Sequence, residues 1–206
     1  NWANRLGGTL KIVNIITTLN STDWRQIEKA ILDYAVSNEP NIDSGKLTIG
    51  LSAYGLSVNK RQLQGAAINL KKQLRSSGRS IRLVPNTEAA MNSAQILHNK
   101  LTGARGWDLC AIRDGQKTII GKTEWSQDID SYAKRDQARP MRDTRVGMLP
   151  PKLAQIIINL AAGDSMPDDN KLLLDPFCGT GVILQEAALM GYSVYGTDLE
   201  PRMIEY

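Results

Sequence analysis

The 206 residues carry 25 lysines and arginines against 21 aspartates and glutamates, a net charge of +4, with 42% hydrophobic and 22% charged residues. That composition is ordinary for a soluble globular protein. No stretch approaches the roughly 18 apolar residues a membrane span needs, and the start lacks a secretory pattern. The two cysteines, Cys110 and Cys178, have no metal-ligand spacing and cannot form a disulfide framework, so a reducing cytoplasm is expected and no metal. The first residue is not Met and the end falls within a pattern, so a piece of a longer protein is expected.

In chain order, Leu10–Ile16 is a β-branched run read as a strand. Asp23–Val36 places Trp24, Ile27, Ile31 and Tyr34 at helical spacing, with Ser21, Thr22 or Asp23 as N-cap. Leu47–Tyr54 reads as a strand after the Ser44-Gly45 turn. Lys60–Leu74 is a helix with Leu63, Ala67, Leu70 and Leu74 on one stripe. Ile81–Val84 is a short strand and Ser93–Leu101 a helix stopped by Gly103. Trp107–Ile112 and Thr118–Thr123 flank Asp114-Gly115, a hairpin signal. Tyr132–Leu149, rich in Arg, Asp, Gln and Pro, reads as a linker. Pro150-Pro151 opens a helix whose apolar face is Leu153, Ile156, Ile157 and Leu160, ended by Gly163.

Charge is unevenly placed. Between Ser44 and Thr87 there is no acid, while Lys46, Lys60, Arg61, Lys71, Lys72, Arg75, Arg79 and Arg82 fall there. Such a block suits a phosphate-backbone partner. The alternative is a solvated basic helix face.

The last part is the most informative. Leu172–Leu174 ends in Asp175, passes through Gly179-Thr180-Gly181, continues as a helical stretch from Val182 to Met190, and a second apolar run ends in Asp198. Strand, glycine turn, helix and strand with an acid at its tip is the layout by which open α/β sheets hold a nucleoside cofactor at their carboxyl edge. A dinucleotide site would have Gly-x-Gly-x-x-Gly, yet Leu184 stands at the third glycine and an acid precedes the turn. An acid there repels pyrophosphate and suits an ammonium, which favours S-adenosylmethionine. Asp198 would accept the ribose hydroxyls.

Asp175-Pro176-Phe177-Cys178-Gly179-Thr180-Gly181 resembles motif I of the amino-group methyltransferases that modify guanosine N2 in tRNA. Arg135–Pro140 and Gly147–Ala154 are similar to the segment before that motif in the tRNA guanosine-10 N2-methyltransferase family. The resemblance implies an RNA-binding THUMP domain upstream, matched in element order by residues 46–123, and a ferredoxin-like region that includes Arg5–Thr9. It implies a cofactor site at Asp175, Pro176, Phe177, Cys178, Gly179, Thr180, Gly181 and Asp198, with Glu200 beside it. Lys60, Arg61, Lys71, Lys72, Arg75, Arg79 and Arg82 are the candidate RNA contacts. tRNA is the implied partner, and a small activating subunit is a further candidate.

The expected architecture is therefore an α+β N-terminal region, ferredoxin-like over 1–45 and THUMP-like over 46–125. A linker over 126–149 and the start of a Rossmann-like methyltransferase domain over 150–206 follow. The family's Asp- or Asn-Pro-Pro-aromatic loop, which would hold the target amine, has no counterpart before Tyr206. No catalytic residue is assigned, and this chain alone is expected to be inactive and to bind the cofactor weakly. The alternatives are a DNA adenine-N6 or cytosine-N4 methyltransferase and a non-catalytic RNA-binding fragment. Cys178 is not needed as a nucleophile, His98 is read as structural, and Trp107 and Trp125 as core. Arg135, Arg139, Arg142 and Arg145, alternating with Asp136 and Asp143, either pair internally or reach phosphates.

Overall fold

The computed structural model describes residues 2–41, 44–76, 78–138, 148–163, 167 and 171–204. The chain divides into two compact units, one of residues 10–127 and one of residues 1–9 with 128–206.

The 10–127 unit runs β1 (Lys11–Leu19), α1 (Trp24–Asn38), β2 (Leu47–Tyr54), α2 (Lys60–Arg75), β3 (Ile81–Leu83), α3 (Ser93–His98), β4 (Gly106–Asp114) and β5 (Lys117–Ser126). Its sheet has the order β1-β5-β4-β2-β3, parallel across β4, β2 and β3 and antiparallel across β1, β5 and β4. Helix starts follow local chemistry. The Asp23 carboxylate accepts the Arg25 and Gln26 amides, and Asn59 with Gln62 and Asn92 with Gln95 form reciprocal capping boxes.

Ile27, Ile31 and Ala35 of α1 and Leu63, Ala66, Ala67, Leu70 and Leu74 of α2 close one core over Leu47, Ile49 and Leu51 of β2 and Leu109 and Ala111 of β4. Central β2 is buried along nearly its whole length, as parallel strands covered on both faces are. Trp107 belongs to this core, its ring 6.1 Å from that of Tyr34; Trp125 is half-buried on β5.

The expected boundary at residue 45 falls inside this unit. β1 pairs with β5 from Lys11↔Ser126 to Leu19↔Thr118, so residues 11–19 and 117–126 share a ladder and cannot belong to separate bodies.

The second unit holds a 3-10 turn at Trp2–Arg5, then α4 (Ile129–Gln137), α5 (Pro151–Ala162), β6 (Leu172–Asp175), α6 (Val182–Leu189), β7 (Ser193–Gly196) and α7 (Pro201–Ile204). Residues 1–9, expected in a ferredoxin-like region, lie here instead. Arg5 Nη2 donates to Tyr192 Oη at 2.8 Å, and Asn159 Nδ2 donates to the Arg5 carbonyl at 2.7 Å. The expected linker contains a helix: α4 is capped by Asp128 and buries Tyr132. Of that linker, 139–147 lie outside the described residues, and with them Arg139, Arg142, Asp143 and Arg145.

α5 buries Pro151, Ala154, Gln155 and Ile158, while Leu153 and Leu160 are 44% and 78% exposed. The observed stripe is thus the expected one displaced by two positions, which puts it on the opposite face of the helix. Ile158 packs with Ala187, Met190 and Tyr192, Ala154 is fully buried, and polar Gln155 bonds to Tyr132 of α4 and Glu186 of α6. Hydropathy alone ranks leucine above alanine and glutamine and so selects the wrong side. No helix among the described residues is long and apolar enough to cross a membrane.

Candidate functional site

β6 and β7 are parallel neighbours in register from Leu172↔Ser193 to Asp175↔Gly196, joined by α6 as the crossover. Their carboxyl ends therefore lie side by side, and backbone bonds lace them together. The Thr197 amide donates to the Asp175 carbonyl at 3.0 Å and the Cys178 amide to the Thr197 carbonyl at 2.9 Å. Thr197 Oγ1 adds a bond to the Pro176 carbonyl at 3.0 Å. The two loops expected to hold one ligand form one structural element.

Gly179 and Gly181 have φ of 49° and 75°. A Cβ at either would meet no atom within 4 Å, so the demand is conformational and the space beside the turn is open. Gly181 is the N-cap of α6, with no side-chain cap bond to the free amides at the helix start.

Asp198 sits at the centre of the lacing. Its Oδ2 accepts the Gly179 amide at 2.9 Å and its Oδ1 the Glu200 amide at 3.0 Å. Those backbone donors, Glu200 first and then Gly179, hold its pKa below the ordinary carboxylate value, so it is an anion at neutral pH. Each oxygen keeps a lone pair for a further donor. Asp175 Oδ1 accepts the Phe177 amide at 3.1 Å, fixing that carboxylate at the tip of β6. Phe177 and Leu199 are exposed beside the turn. Burial, then Asp175 and Asp198, raise the Cys178 thiol pKa, which disfavours a thiolate nucleophile.

Leu184, at the place of a dinucleotide site's third glycine, has its counterpart across the gap. A Cβ on Gly196 would lie 2.3 Å from Leu184 Cδ1 and 3.0 Å from Cys178 Cβ. The small residue that lets helix and strand approach is on the strand here. Gly196→Ala is expected to cost about 1–3 kcal/mol, read as a lowered melting temperature, and Leu184→Ala in the same chain is expected to recover part of it. An unchanged melting temperature would show that this contact yields freely.

Behind the turn lies a polar cluster that sequence reasoning missed. Glu186 of α6 is fully buried; Arg135 Nε donates to its Oε1 at 2.8 Å and Gln155 Nε2 to its Oε2 at 2.9 Å. The Tyr132 hydroxyl donates to Gln155 Oε1, and the Arg135 guanidinium lies 4.4 Å from the Tyr132 ring centroid. Arg135 thus pairs internally. The available signal was one acid, Glu186, within a helix that is apolar apart from it and Gln185.

The seven basic candidates do not gather into one patch. Lys60 and Arg61 lie on the first turn of α2 and Lys71, Lys72 and Arg75 on its last turns, along a helix about 24 Å long. Arg79 is paired with the buried Glu39, and Arg82 Nη2 donates to Asn99 Oδ1 at 2.9 Å. His98 lies in the last turn of α3. Among the described residues no group of three or more His, Cys, Asp and Glu could hold a metal ion.

Residues 139–205 match the family described as RMKL-like, methyltransferase domain. The chain is 47% identical over 75 residues to a tRNA (guanine(10)-N2)-dimethyltransferase of Methanothermobacter thermautotrophicus, covering 34% of this chain and 20% of that protein. It is 44% identical over 72 residues to the enzyme of the same name from Methanocaldococcus jannaschii, covering 35% of this chain and 19% of that protein. The chain thus spans about a fifth of the length of these curated relatives. In fold it is similar to TrmN from Thermus thermophilus, with a TM-score of 0.51 at 19% identity over 98% of this chain and 53% of that one. SMU.472 complexed with SAH gives the same TM-score at 13% identity over 97% of this chain and 57% of that one.

Proposed function

We propose that this chain, whose C-terminal part is an RMKL-like methyltransferase domain, carries the RNA-binding unit and the cofactor turn of an S-adenosylmethionine-dependent enzyme that methylates the N2 amine of guanosine 10 in tRNA. The observation that carries the reading is the laced pair of loops in which two carboxylates, Asp175 and Asp198, flank an open glycine turn. The names of the two archaeal relatives support the choice of tRNA. The residues present fit the cofactor. Asp175 would attract its ammonium, and Asp198, already anchored by two amides, would accept from its ribose diol. The backbone of Gly179, Thr180 and Gly181 offers close approach without side-chain obstruction at the two glycines. Pro176, Phe177, Cys178 and Glu200 would complete the wall.

When bound, the cofactor supplies a methyl group activated on a sulfonium. The chain's residues would bind and orient it, so that rate comes from positioning and electrostatics. The 10–127 unit, which contains the 46–125 stretch read as THUMP-like, would dock tRNA by phosphate and shape contacts in the cytoplasm.

The test is transfer of labelled methyl groups by the full-length protein to an unmodified tRNA transcript and to duplex DNA. Label in tRNA that disappears when guanosine 10 is replaced is the expected result; label only in DNA would sink the reading. Asp198→Ala is expected to weaken cofactor binding by about ten- to a hundredfold, measured by calorimetry on the same protein. Unaltered binding would remove Asp198 from the site.

A further inference from the structure

We propose that the amino ends of the three parallel strands β4, β2 and β3 form a seat for consecutive backbone phosphates of an RNA strand, built on Lys46, Arg79 and Arg105. The inference rests on the RNA-binding reading of the 10–127 unit and locates it on a surface that the basic block of the sequence does not outline.

The strand register makes the juxtaposition. Leu47 pairs with Ile81 and Thr48 with Gly106, so the residues entering the three strands come into line. Arg105 immediately precedes β4, Lys46 immediately precedes β2, and Arg79 lies two residues before β3. Backbone bonds hold the entries together, from the Leu47 amide to the Ser80 carbonyl and from the Thr48 amide to the Arg105 carbonyl, each 3.0 Å. Three cations distant in sequence thus stand across neighbouring strands. At the usual strand spacing the row spans about 10 Å, the scale of neighbouring phosphates along one nucleic-acid strand.

The surface is concave and partly preset. Glu39, Ser44, Gly45, Lys46, Gly78, Arg79 and Ser80 line an open depression of about 430 Å³. Arg105 Nη1 donates to the Ser44 carbonyl at 3.2 Å, which holds the guanidinium against the rim. Glu39, 6% exposed, fixes Arg79 in the wall and balances its charge. The excess positive charge comes from the exposed Lys46 and Arg105. Guanidinium groups fixed at one end lose less freedom on meeting a phosphate. The exposed side of α2 offers a poorer seat, because Arg61 and Lys72 are separated by Gly65 and Ile68, the latter 63% exposed.

The experiment compares K46E/R105E with R61E/K72E, which exchange the same number of cations for anions, by fluorescence anisotropy of an unmodified tRNA transcript with the 206-residue chain. The expected result is a loss of about thirtyfold or more for the first pair and less than about threefold for the second. The milder K46A/R105A is expected to make the slope of log affinity against log salt shallower by about 1.4–1.8. Equal losses for the two glutamate pairs, or an unaltered slope, would overturn the seat. Edge-dependent tRNA binding by a protein that transfers no methyl group to tRNA would leave the seat standing and remove only the methyltransferase reading.

Discussion

Replacing Asp108 by alanine is expected to cost about 3–5 kcal/mol and to be the most damaging single change in the 10–127 unit. Asp108 is completely buried, yet its carboxylate is saturated with donors. Ser52 Oγ donates to Oδ1 at 2.7 Å, Thr123 Oγ1 to Oδ2 at 2.7 Å, and Lys11 Nζ lies 3.1 Å from Oδ2. Cys110 adds a weak bond at 3.5 Å; burial and Asp108 push its thiol pKa up to about 12, so it stays a donor. Ser52 Oγ in turn accepts the Met91 amide at 3.0 Å. One carboxylate therefore joins β1, β2, β4 and β5 to the segment before α3. Alanine removes the acceptor and leaves Lys11 buried without its counter-charge.

The pH dependence distinguishes this account from simple cavity formation. For Lys11, burial lowers the pKa, but Asp108 and then Tyr54 outweigh it, and the net shift is upward from 10.5. A group raised on folding contributes stability fully below its unfolded pKa and loses it as pH climbs through the folded one. The wild-type contribution is therefore intact at neutral pH and fades only in strong alkali. In Asp108→Ala the carboxylate no longer offsets burial, so holding Lys11 charged near neutral pH carries a cost. That cost is relieved as Lys11 loses its proton, so the deficit against wild type is expected to narrow as pH rises, measured as urea midpoints from about pH 7 to about pH 11. Parallel curves for the two proteins would show that the ion pair contributes nothing.

Glu186→Ala is the second large expectation, again about 3–5 kcal/mol. Glu186 has no exposed surface, and the Arg135 side chain is 18% exposed, so the pair is screened little by solvent. Removing the acid leaves a guanidinium and the Gln155 amide facing each other in the interior. Because both residues belong to one network, Arg135→Ala with Glu186→Ala is expected to cost clearly less than the sum of the single changes. Glu186→Gln keeps the shape and a carbonyl acceptor for Arg135 and is expected to fall between wild type and alanine. Denaturant titrations of the wild type and the four variants decide it, and strict additivity of the alanine changes would show that the two side chains act independently. The consequence reaches the candidate site because Glu186 sits on the helix that begins at Gly181.

Most strands and helices were legible from periodicity and punctuation, and β2 was read with its observed bounds, whereas α4 fell in a polar stretch read as linker. The Asp175–Asp198 stretch was legible because a positive-φ turn between a strand and a helix demands residue types that little else demands. Burial on α5 was not legible. Leu153 and Leu160 look like a core stripe, yet the side that α4 and α6 bond to is that of Gln155, a choice that depends on neighbours far along the chain. The basic block was legible as charge but not as a surface, since the fold spreads part of it along α2 and brings Lys46 and Arg79 to neighbouring strand ends.

By itself, then, the sequence determined the local elements, the acid-flanked glycine turn and the sign of the charge upstream. Each depends on residues within a few positions of one another, whose backbone preferences and spacing are written directly in order. Only the tertiary structure decided that β1 closes a single sheet with β5, that residues 1–9 belong with the 128–206 unit, and that Asp198 binds the glycine turn it faces. It also decided which cations are neighbours. These outcomes rest on register and packing between segments tens of residues apart, where pairing geometry selects the partner and composition does not.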